Sequence, residues 1–328
     1  MKNILGITFL TLVSFFAEAQ ISTTISSFKF YNHKNIQKLG DLSEKTLVVK
    51  EYGYSKSKLK KFKKKGILEK KLEALNTQNS KLLQIVKENW KYNKNIVSSS
   101  TFSEEDDYKK SDKHIYLETI NLTETRKQKV GMVEVTHSFS YSLLRIKGNK
   151  KFLNCYSNSG GNFSELELIS ALKYLQKGFK SSDSETTGKL FPNYINKNAT
   201  QLKAKTLLIP SGATKLTVEK VKEKYGFDVK IVSLSEIASK IESKSQKHAY
   251  YLPQHQAGSC GKGFNHLIYS CENQEPLVLI PANKFKFGMH GGNAPLFFEI
   301  VPVSGDVPLS KVLRGKTVEK LSNILAGS

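Results

Sequence analysis

The chain repeats itself, and this internal similarity limits its fold more than any single motif does. Residues 45–49 (KTLVV) return as residues 205–209 (KTLLI), and residues 86–117 align without a gap on residues 221–252. Ten of the 32 pairs in the longer alignment are identical. Because the matching blocks recur in one order, we interpret the chain as a tandem duplication. This interpretation predicts two related structural units.

Each unit alternates short aliphatic runs with amphipathic segments. Residues 205–210 (KTLLIP) form a β-branched and aliphatic run that predicts a buried strand. Thr217 is placed to cap the following helix, and Gly226 is placed to end it. The alternation predicts an α/β fold made of two tandem three-layer units, each a mainly parallel sheet with an antiparallel extension.

The repeat also predicts the domain boundaries. The first unit covers residues 20–180 and the second covers residues 203–328, with a polar linker at 181–202. The first strands lie 160 positions apart (45 and 205), whereas the following helices lie 135 apart (86 and 221). The first unit therefore carries an insertion of about 25 residues, at about 56–80.

This insertion is rich in lysine from Lys56 to Lys71 and has two interpretations. It is either a solvated helical face or a basic patch for an acidic polymer or an anionic surface. The formal net charge of +22 comes from lysine, since the chain has three arginines. Lysine is a solvated point charge that does not offer the bidentate fork of arginine, so nucleic acid is a poor fit. The candidate polyanion-binding residues are Lys60, Lys61, Lys63, Lys64 and Lys65.

The N-terminus has the three parts of a secretory signal peptide. Lys2 precedes an apolar run at residues 4–16, and residues 17–19 read Ala-Glu-Ala. We expect cleavage near Ala19, which makes residues 1–19 the signal peptide and places the protein in the periplasm or outside the cell. The apolar run is shorter than the roughly 20 residues that a membrane-spanning helix needs, and no later segment is apolar enough, so we expect no integral membrane segment.

Residues 255–271 (HQAGSCGKGFNHLIYSC) contain two histidines and two cysteines at even spacing. Zinc accepts such a set, but structural zinc sites gather their ligands in closer pairs. Strand alternation also places His266 and Cys271 on opposite faces. We therefore expect neither a metal nor another cofactor.

The same stretch allows a thiol enzyme. Cys260 lies in a glycine-rich loop after a predicted parallel strand, which is where ligand sites of α/β folds tend to occur. Nearby Lys262 could stabilise its thiolate, and His255 or His290 could act as the general base.

A disulfide is the third interpretation. An exported chain enters an oxidising compartment, where a bond between Cys260 and Cys271 would close a 12-residue loop. Cys155 is then left over, either buried or reactive, and its redox state is open.

Two Gly-Gly-Asn tripeptides recur at matching positions of the two units. Their simplest role is to supply positive φ angles in tight turns. A ligand-facing loop is the alternative, with candidate residues Gly160, Gly161, Asn162, Gly291, Gly292 and Asn293.

The signal ending AEAQ and the repeated K-T-L-[VL]-[VI], K-[IV]-V-S and Y-L units resemble those of exported α/β-repeat proteins of Bacteroidetes-type bacteria. The resemblance implies an envelope location and supplies no catalytic residue. The G-x-S-x-G, Walker A, HExxH and GxGxxG motifs are missing from the sequence, which disfavours the commoner hydrolase, NTPase, zinc-protease and dinucleotide-binding classes. We expect a non-catalytic exported binding protein. The alternatives are a thiol hydrolase or transferase at Cys260 and a polyanion-binding protein acting through Lys56–Lys71.

Overall fold

A computed structural model describes most of the chain outside the N-terminal region. The described residues are 36, 38–39, 41–99, 113–130, 133–148, 151–182, 191–255, 263–281, 285–289, 298–302 and 313–327.

The first unit contains a five-stranded sheet, here called the first sheet. Its strand order is β2-β1-β3-β4-β5. Strand β1 runs parallel to β2 and β3, while β4 is antiparallel to both β3 and β5. The five strands are β1 (Thr46–Lys50), β2 (Ile96–Ser99), β3 (His114–Val130), β4 (Val133–Gly148) and β5 (Lys151–Ser157).

The second unit contains a second sheet with the same plan. Its order is β10-β9-β8-β6-β7, in which β6 is parallel to β7 and β8, and β9 is antiparallel to β8 and β10. Its strands are β6 (Thr206–Pro210), β7 (Val229–Val232), β8 (His248–His255), β9 (Phe264–Ser270) and β10 (Pro276–Ile280). A separate antiparallel pair is formed by β11 (Phe285–Met289) and β12 (Phe298–Pro302). The predicted fold class, two α/β units with mixed sheets, is confirmed.

The helices lie between the strands and after each sheet. In chain order they are α1 (Lys56–Lys64), α2 (Leu68–Asn89), α3 (Glu165–Ser182), α4 (Phe191–Asn196), a 3-10 helix (Ala199–Ala204), α5 (Val218–Tyr225), α6 (Leu234–Glu242) and α7 (Gly315–Ala326).

Local signals in the sequence define several of these helix ends. Helix α5 begins where the Thr217 side chain accepts a hydrogen bond from the Lys220 N–H, and it ends at Gly226, whose φ is 81°. Both ends of α5 lie at the residues that the sequence predicts, Thr217 at the start and Gly226 at the end. Helix α3 begins with a reciprocal capping box, in which Ser164 and Glu167 each accept from the other's backbone N–H.

The two sheets share one hydrophobic core. The largest buried cluster contains Leu47 and Leu144 of the first sheet together with Tyr250 and Leu267 of the second. Helix α3 contacts both sheets, and its Ser170 hydroxyl lies 2.8 Å from the hydroxyl of Tyr250. The opposite face of the second sheet packs in a separate cluster with α5, α7 and the 3-10 helix. Since burial of a leucine side chain contributes about 1.5–3 kcal/mol, this shared cluster couples the stability of the two units.

The segment predicted as a linker at 181–202 carries structure of its own. Its helix α4 packs against β10, and the Asn196 side chain binds both backbone groups of Leu279. The Leu279 N–H donates to Asn196 Oδ1 at 2.8 Å, and Asn196 Nδ2 donates to the Leu279 carbonyl at 3.2 Å. An amide side chain thus occupies the hydrogen-bonding edge of β10, which an unpaired strand would leave open.

In the third strands, the equivalence of the two units given by strand pairing differs by one residue from the sequence alignment. The sequence alignment pairs Tyr116 with Tyr251. In the structure, Tyr116 lies opposite Val48, and it is Tyr250 that lies opposite Leu208, the counterpart of Val48. Neighbouring residues of a strand point to opposite faces of the sheet. Tyr116 and Tyr251 are therefore aligned in sequence but lie on different faces of their sheets.

Candidate functional site

The lysine-rich insertion forms a helical hairpin made of α1 and the first half of α2, here called the basic hairpin (residues 55–78). The Ser55 side chain caps α1 by accepting from the Lys58 N–H, and Gly66, with a φ of 66°, makes the turn into α2. Helix α1 has no buried residue, and the first buried residue of α2 is Asn79. The hairpin therefore extends about 16 Å, the length of eleven helical residues, before α2 reaches the core.

The lysines of α1 surround most of that helix. At about 100° per residue, the six lysines from Lys56 to Lys64 span roughly 220° of its circumference. Leu59 and Phe62 occupy the remaining arc, and the Phe62 ring meets the ring of Tyr54 edge-on at 5.0 Å. All the α1 lysines are exposed, and none forms an ion pair with another described residue. Their charge is not neutralised within the described fold.

The base of the basic hairpin is fixed by an amide side chain. Asn79 accepts from the Tyr52 N–H at 2.8 Å and donates to the Tyr52 carbonyl at 3.1 Å. Below it, Leu82, Ile85 and Val86 of α2 are buried in the shared core. The charged end therefore sits on a helix that is anchored at its other end. Deleting residues 56–80 would remove Asn79 and with it this anchor, so substitution of the lysines is the better test of the basic hairpin.

His255, a candidate general base, is fully buried where the two units meet. Its Nε2 lies 3.4 Å from the Glu124 carboxylate, which also accepts a 2.7 Å hydrogen bond from the Tyr141 hydroxyl. The rings of Phe139 and Tyr141 lie 4.5 Å from the imidazole. Glu124 and Tyr141 belong to the long β3–β4 hairpin of the first unit, so the side chain of His255 joins the units instead of facing solvent.

Sequence reasoning missed Glu124 and Tyr141. The available signal was the alternation of charged and apolar residues along β3, which predicts a strand with one polar and one apolar face. It could not have identified His255 as the partner, because the contact links residues more than 100 positions apart.

The first Gly-Gly-Asn tripeptide forms a turn that is held to β4. Gly160 and Gly161 have φ angles of 142° and 68°, which only glycine adopts readily. The Gly161 carbonyl accepts from the Ser142 hydroxyl at 2.9 Å and from Asn158 Nδ2 at 3.1 Å. Asn162 is exposed beside it. The turn thus has a structural role, while its predicted ligand-binding role stays a prediction.

The predicted disulfide between Cys260 and Cys271 is wrong. Cys271 is a free, buried thiol at the end of β9. From Gly263 to Cys271 the extended strand spans about 25 Å, whereas Cys260 lies within about 11 Å of chain from Gly263. A disulfide requires the two Cα atoms to lie within about 7 Å. The strand itself therefore keeps the two sulfurs apart.

We expect three free thiols per chain. Burial raises the pKa of Cys271 to about 12 and raises the pKa of Cys155 even further. These two thiols should not react with a thiol reagent at pH 8 in the native protein, because too little thiolate is present and neither is exposed. Denaturation without reductant should release three reactive thiols per chain.

The C260S variant is the matched control for that titration. It should give no fast-reacting thiol when native and two when denatured. A wild-type count of one thiol in denaturant would instead indicate a disulfide and contradict the structure.

Several predicted site residues lie outside the described residues: Cys260, His290, Gly291, Gly292 and Asn293. The thiol-enzyme hypothesis at Cys260 therefore stays a prediction. His266 is buried, and its Nδ1 lies 2.7 Å from the hydroxyl of Tyr251.

The part of the chain that the structure describes contains neither a cluster of metal-ligating side chains nor a membrane-spanning helix. Within those ranges, no group of three or more His, Cys, Asp or Glu side chains could hold a metal ion. None of the helices in the same ranges has the length and apolarity required to cross a bilayer.

The basic hairpin is thus the predicted site that the structure describes most fully. No protein-family model, curated protein or solved structure matches the chain.

Proposed function

We propose that the protein is an exported, non-catalytic binding protein that attaches to a flexible anionic polymer through its basic hairpin. The observation that carries the proposal is a protruding helix whose lysines are exposed and have no acidic partner among the described residues. Export rests on the signal-peptide pattern of residues 1–19.

The arrangement of the lysines favours a polymer over a flat surface. A planar membrane can contact only one side of a helix, whereas the α1 lysines extend over roughly 220° of its circumference. A flexible chain can follow that arc and contact lysines on several sides. Because lysine contributes a point charge without a fixed geometry, we expect binding that is electrostatic and tolerant of polymer sequence.

The test is a charge-removal variant measured on an immobilised anionic polysaccharide such as heparin. Replacing Lys60, Lys61, Lys63, Lys64 and Lys65 with glutamine should weaken binding by at least about 100-fold at low salt. It should also flatten the dependence of affinity on salt, because fewer counterions are released. The fold should be retained, since none of these side chains is buried.

A control variant removes five positive charges from the second half of the chain, outside the basic hairpin. Lys197, Lys215, Lys220, Lys230 and Lys247 are exposed lysines of the second half of the chain, and replacing them with glutamine lowers the net charge equally. This control should keep most of the affinity. Equal losses in the two variants would show that overall charge, not the basic hairpin, governs binding.

Vesicles of anionic lipid form the second arm of the experiment. Binding to such vesicles without binding to the polysaccharide would replace the polymer with a membrane surface as the ligand. Failure to bind either one at low salt would overturn the proposal.

A further inference from the structure

The long β3–β4 hairpin of the first unit has an open hydrogen-bonding edge. Strand β3 is 17 residues long, but β1 pairs with it only as far as Leu117. From Glu118 to Val130, the one strand among those described that pairs with β3 is β4. The start of this free part is fixed, since the Glu118 carboxylate binds Arg145 and Lys147 of β4. The other side of β3 is therefore available to a further strand.

Strand alternation identifies the backbone groups at this edge. The Thr46 N–H donates to the Lys113 carbonyl at 3.0 Å, so the odd-numbered residues of β3 direct their backbone groups toward β1 and the even-numbered ones toward β4. Beyond the end of β1, the N–H and C=O groups of residues 119, 121, 123 and 125 therefore point outward. No described residue forms a hydrogen bond with these backbone groups. Each residue offers one donor and one acceptor to a neighbouring strand.

Three other strand edges in the described part of the fold are protected, whereas this one is not. Strands β2 and β7 have four residues each, and the Asn196 side chain occupies the edge of β10. Short edges and covered edges both prevent pairing with other chains. The β3 edge is long, its ladder with β4 runs without a bulge, and residues 119–125 include no proline and no lysine. Such an edge is a template for another strand.

A second copy of β3 fits this edge in an antiparallel arrangement. Two identical antiparallel strands are related by a two-fold axis. With the axis at Leu122, Thr119 lies opposite Thr125 of the other copy, and Asn121 lies opposite Thr123. All four outward-pointing residues of each copy are then used, and each pair exchanges two hydrogen bonds.

The neighbouring registers fit less well. An axis at Asn121 would require Leu117, whose backbone already pairs with β1. An axis at Thr123 would place Lys127 opposite Thr119 and extend the pairing into the basic end of the hairpin. The arrangement centred on Leu122 is therefore the one that satisfies the whole open edge.

The side chains that would face each other are compatible. Asn121, Thr123 and Thr125 are exposed on one face of the hairpin and carry no charge. Threonine pairs across neighbouring strands are favourable, whereas like charges directly opposite each other are not. The basic residues begin at Arg126, outside the paired stretch. The open edge is thus locally neutral in a chain whose formal net charge is +22.

We propose that the protein forms a two-fold symmetric dimer in which the β3 edges of two copies pair in antiparallel orientation around Leu122. The two five-stranded first sheets would then form one continuous ten-stranded sheet. This inference does not rest on the polymer-binding function proposed for the basic hairpin. The dimer would also carry two basic hairpins, which raises the avidity for a long polymer.

The experiment is sedimentation velocity of the purified protein over a wide range of concentrations, without any polymer. The wild-type protein should convert reversibly from monomer to dimer as its concentration rises. Because two copies of high positive charge repel each other, the dimer should become tighter as salt is added. Polymer binding should respond to salt in the opposite direction, so the two proposals are distinguishable. The five-lysine variant of the basic hairpin should dimerise at least as tightly as the wild type.

A pair of double variants tests the register. N121K/T123K places lysine opposite lysine across the two-fold axis and should weaken the dimer at least about 100-fold. N121K/T123E places lysine opposite glutamate at the same positions and should dimerise within about threefold of the wild type. Both variants lose the hydrogen bond between Ser142 and the Asn121 side chain, so they are matched in their effect on the monomer.

The T123P variant replaces the lysine pair if N121K/T123K does not fold. The Thr123 N–H points outward, so proline removes no hydrogen bond of the β3–β4 ladder, and proline is tolerated at such edge positions. T123P should melt near the wild-type temperature in dilute solution and dimerise at least about tenfold more weakly. A wild-type protein that stays monomeric at every concentration, or one that forms open-ended oligomers, would overturn the proposal. Equal dimer affinities of the two double variants, or of T123P and the wild type, would overturn it as well.

Discussion

The protein should unfold in one cooperative step between about pH 10.5 and 11.5, because half of its tyrosines cannot ionise in the folded state. Burial raises the pKa of seven of its fourteen tyrosines above the usual value of 10. Four of them form a buried group around α3, β5 and the second sheet: Tyr156, Tyr174, Tyr250 and Tyr269.

The sign of the effect follows from the direction of these shifts. Each buried tyrosine is neutral in the folded chain and ionises near pH 10 in the unfolded chain, so its contribution is complete below pH 10 and is lost as the pH rises. Each one lowers the free energy of unfolding by about 1.4 kcal/mol per pH unit once the unfolded chain is ionised. Seven together give roughly 10 kcal/mol per pH unit, which removes a typical stability of 5–15 kcal/mol within about 1.5 pH units above pH 10.

Tyrosinate absorbance and circular dichroism, followed together against pH, test this expectation. The seven buried tyrosines should ionise in the same step as the loss of secondary structure. A smooth titration of all fourteen while the circular dichroism stays native would contradict it.

The Y225F variant provides the matched control. The Tyr225 hydroxyl is buried and has no hydrogen-bond partner among the described residues. Its removal should stabilise the protein by about 1 kcal/mol at neutral pH, since an unsatisfied buried polar group costs free energy. It should also reduce the pH dependence above pH 10 by about one seventh.

The N93A substitution should cost about 3–5 kcal/mol and lower the melting temperature by about 10 °C. Asn93 is buried, and its side chain makes three hydrogen bonds. Its Oδ1 accepts from Trp90 Nε1 at 2.8 Å, and its Nδ2 donates to the carbonyls of Leu42 and Lys45 at 2.6 and 2.7 Å. Alanine would remove all three of these hydrogen bonds, while the Leu42 carbonyl would still accept from the Lys45 N–H at 3.2 Å.

Asn95 supplies the comparison for that substitution, because it lies two residues away and is exposed. Its backbone carbonyl, which alanine also provides, accepts from the Leu47 N–H at 2.9 Å. N95A should therefore change the stability by less than about 0.5 kcal/mol. Thermal unfolding of both variants at pH 7 measures the difference, and melting within about 2 °C of one another would show that the Asn93 bonds contribute little.

The sequence alone determined the local elements. The aliphatic runs at residues 46–50 and 206–210 became strands in equivalent positions, each second from the edge of its sheet, because their β-branched residues favour extended backbone. Thr217 and Gly226 defined α5 through capping and a positive φ, which are local effects. The lysine run became an exposed helix because it has too few apolar residues to be buried.

The sequence also contained the argument against its own disulfide. The alternation that places His266 and Cys271 on opposite faces implies a strand, and that strand, Phe264–Ser270, alone separates Cys260 from Cys271 by more than a disulfide can span. The thiol pattern suggested a bond, but the extended backbone excluded it.

The tertiary structure alone decided which surfaces meet. Strand β8 is buried on both faces, so its pattern cannot show that one face of the second sheet packs against α3 of the first unit. The contact of His255 with Glu124 and the grouping of Arg145, Lys147 and Lys50 around Glu118 depend on pairing between distant strands. Capping and hydrophobic periodicity act over a few neighbouring residues, whereas register and sheet packing join residues far apart in the chain. For that reason the sequence determined the elements, and only the folded chain determined the sites they form.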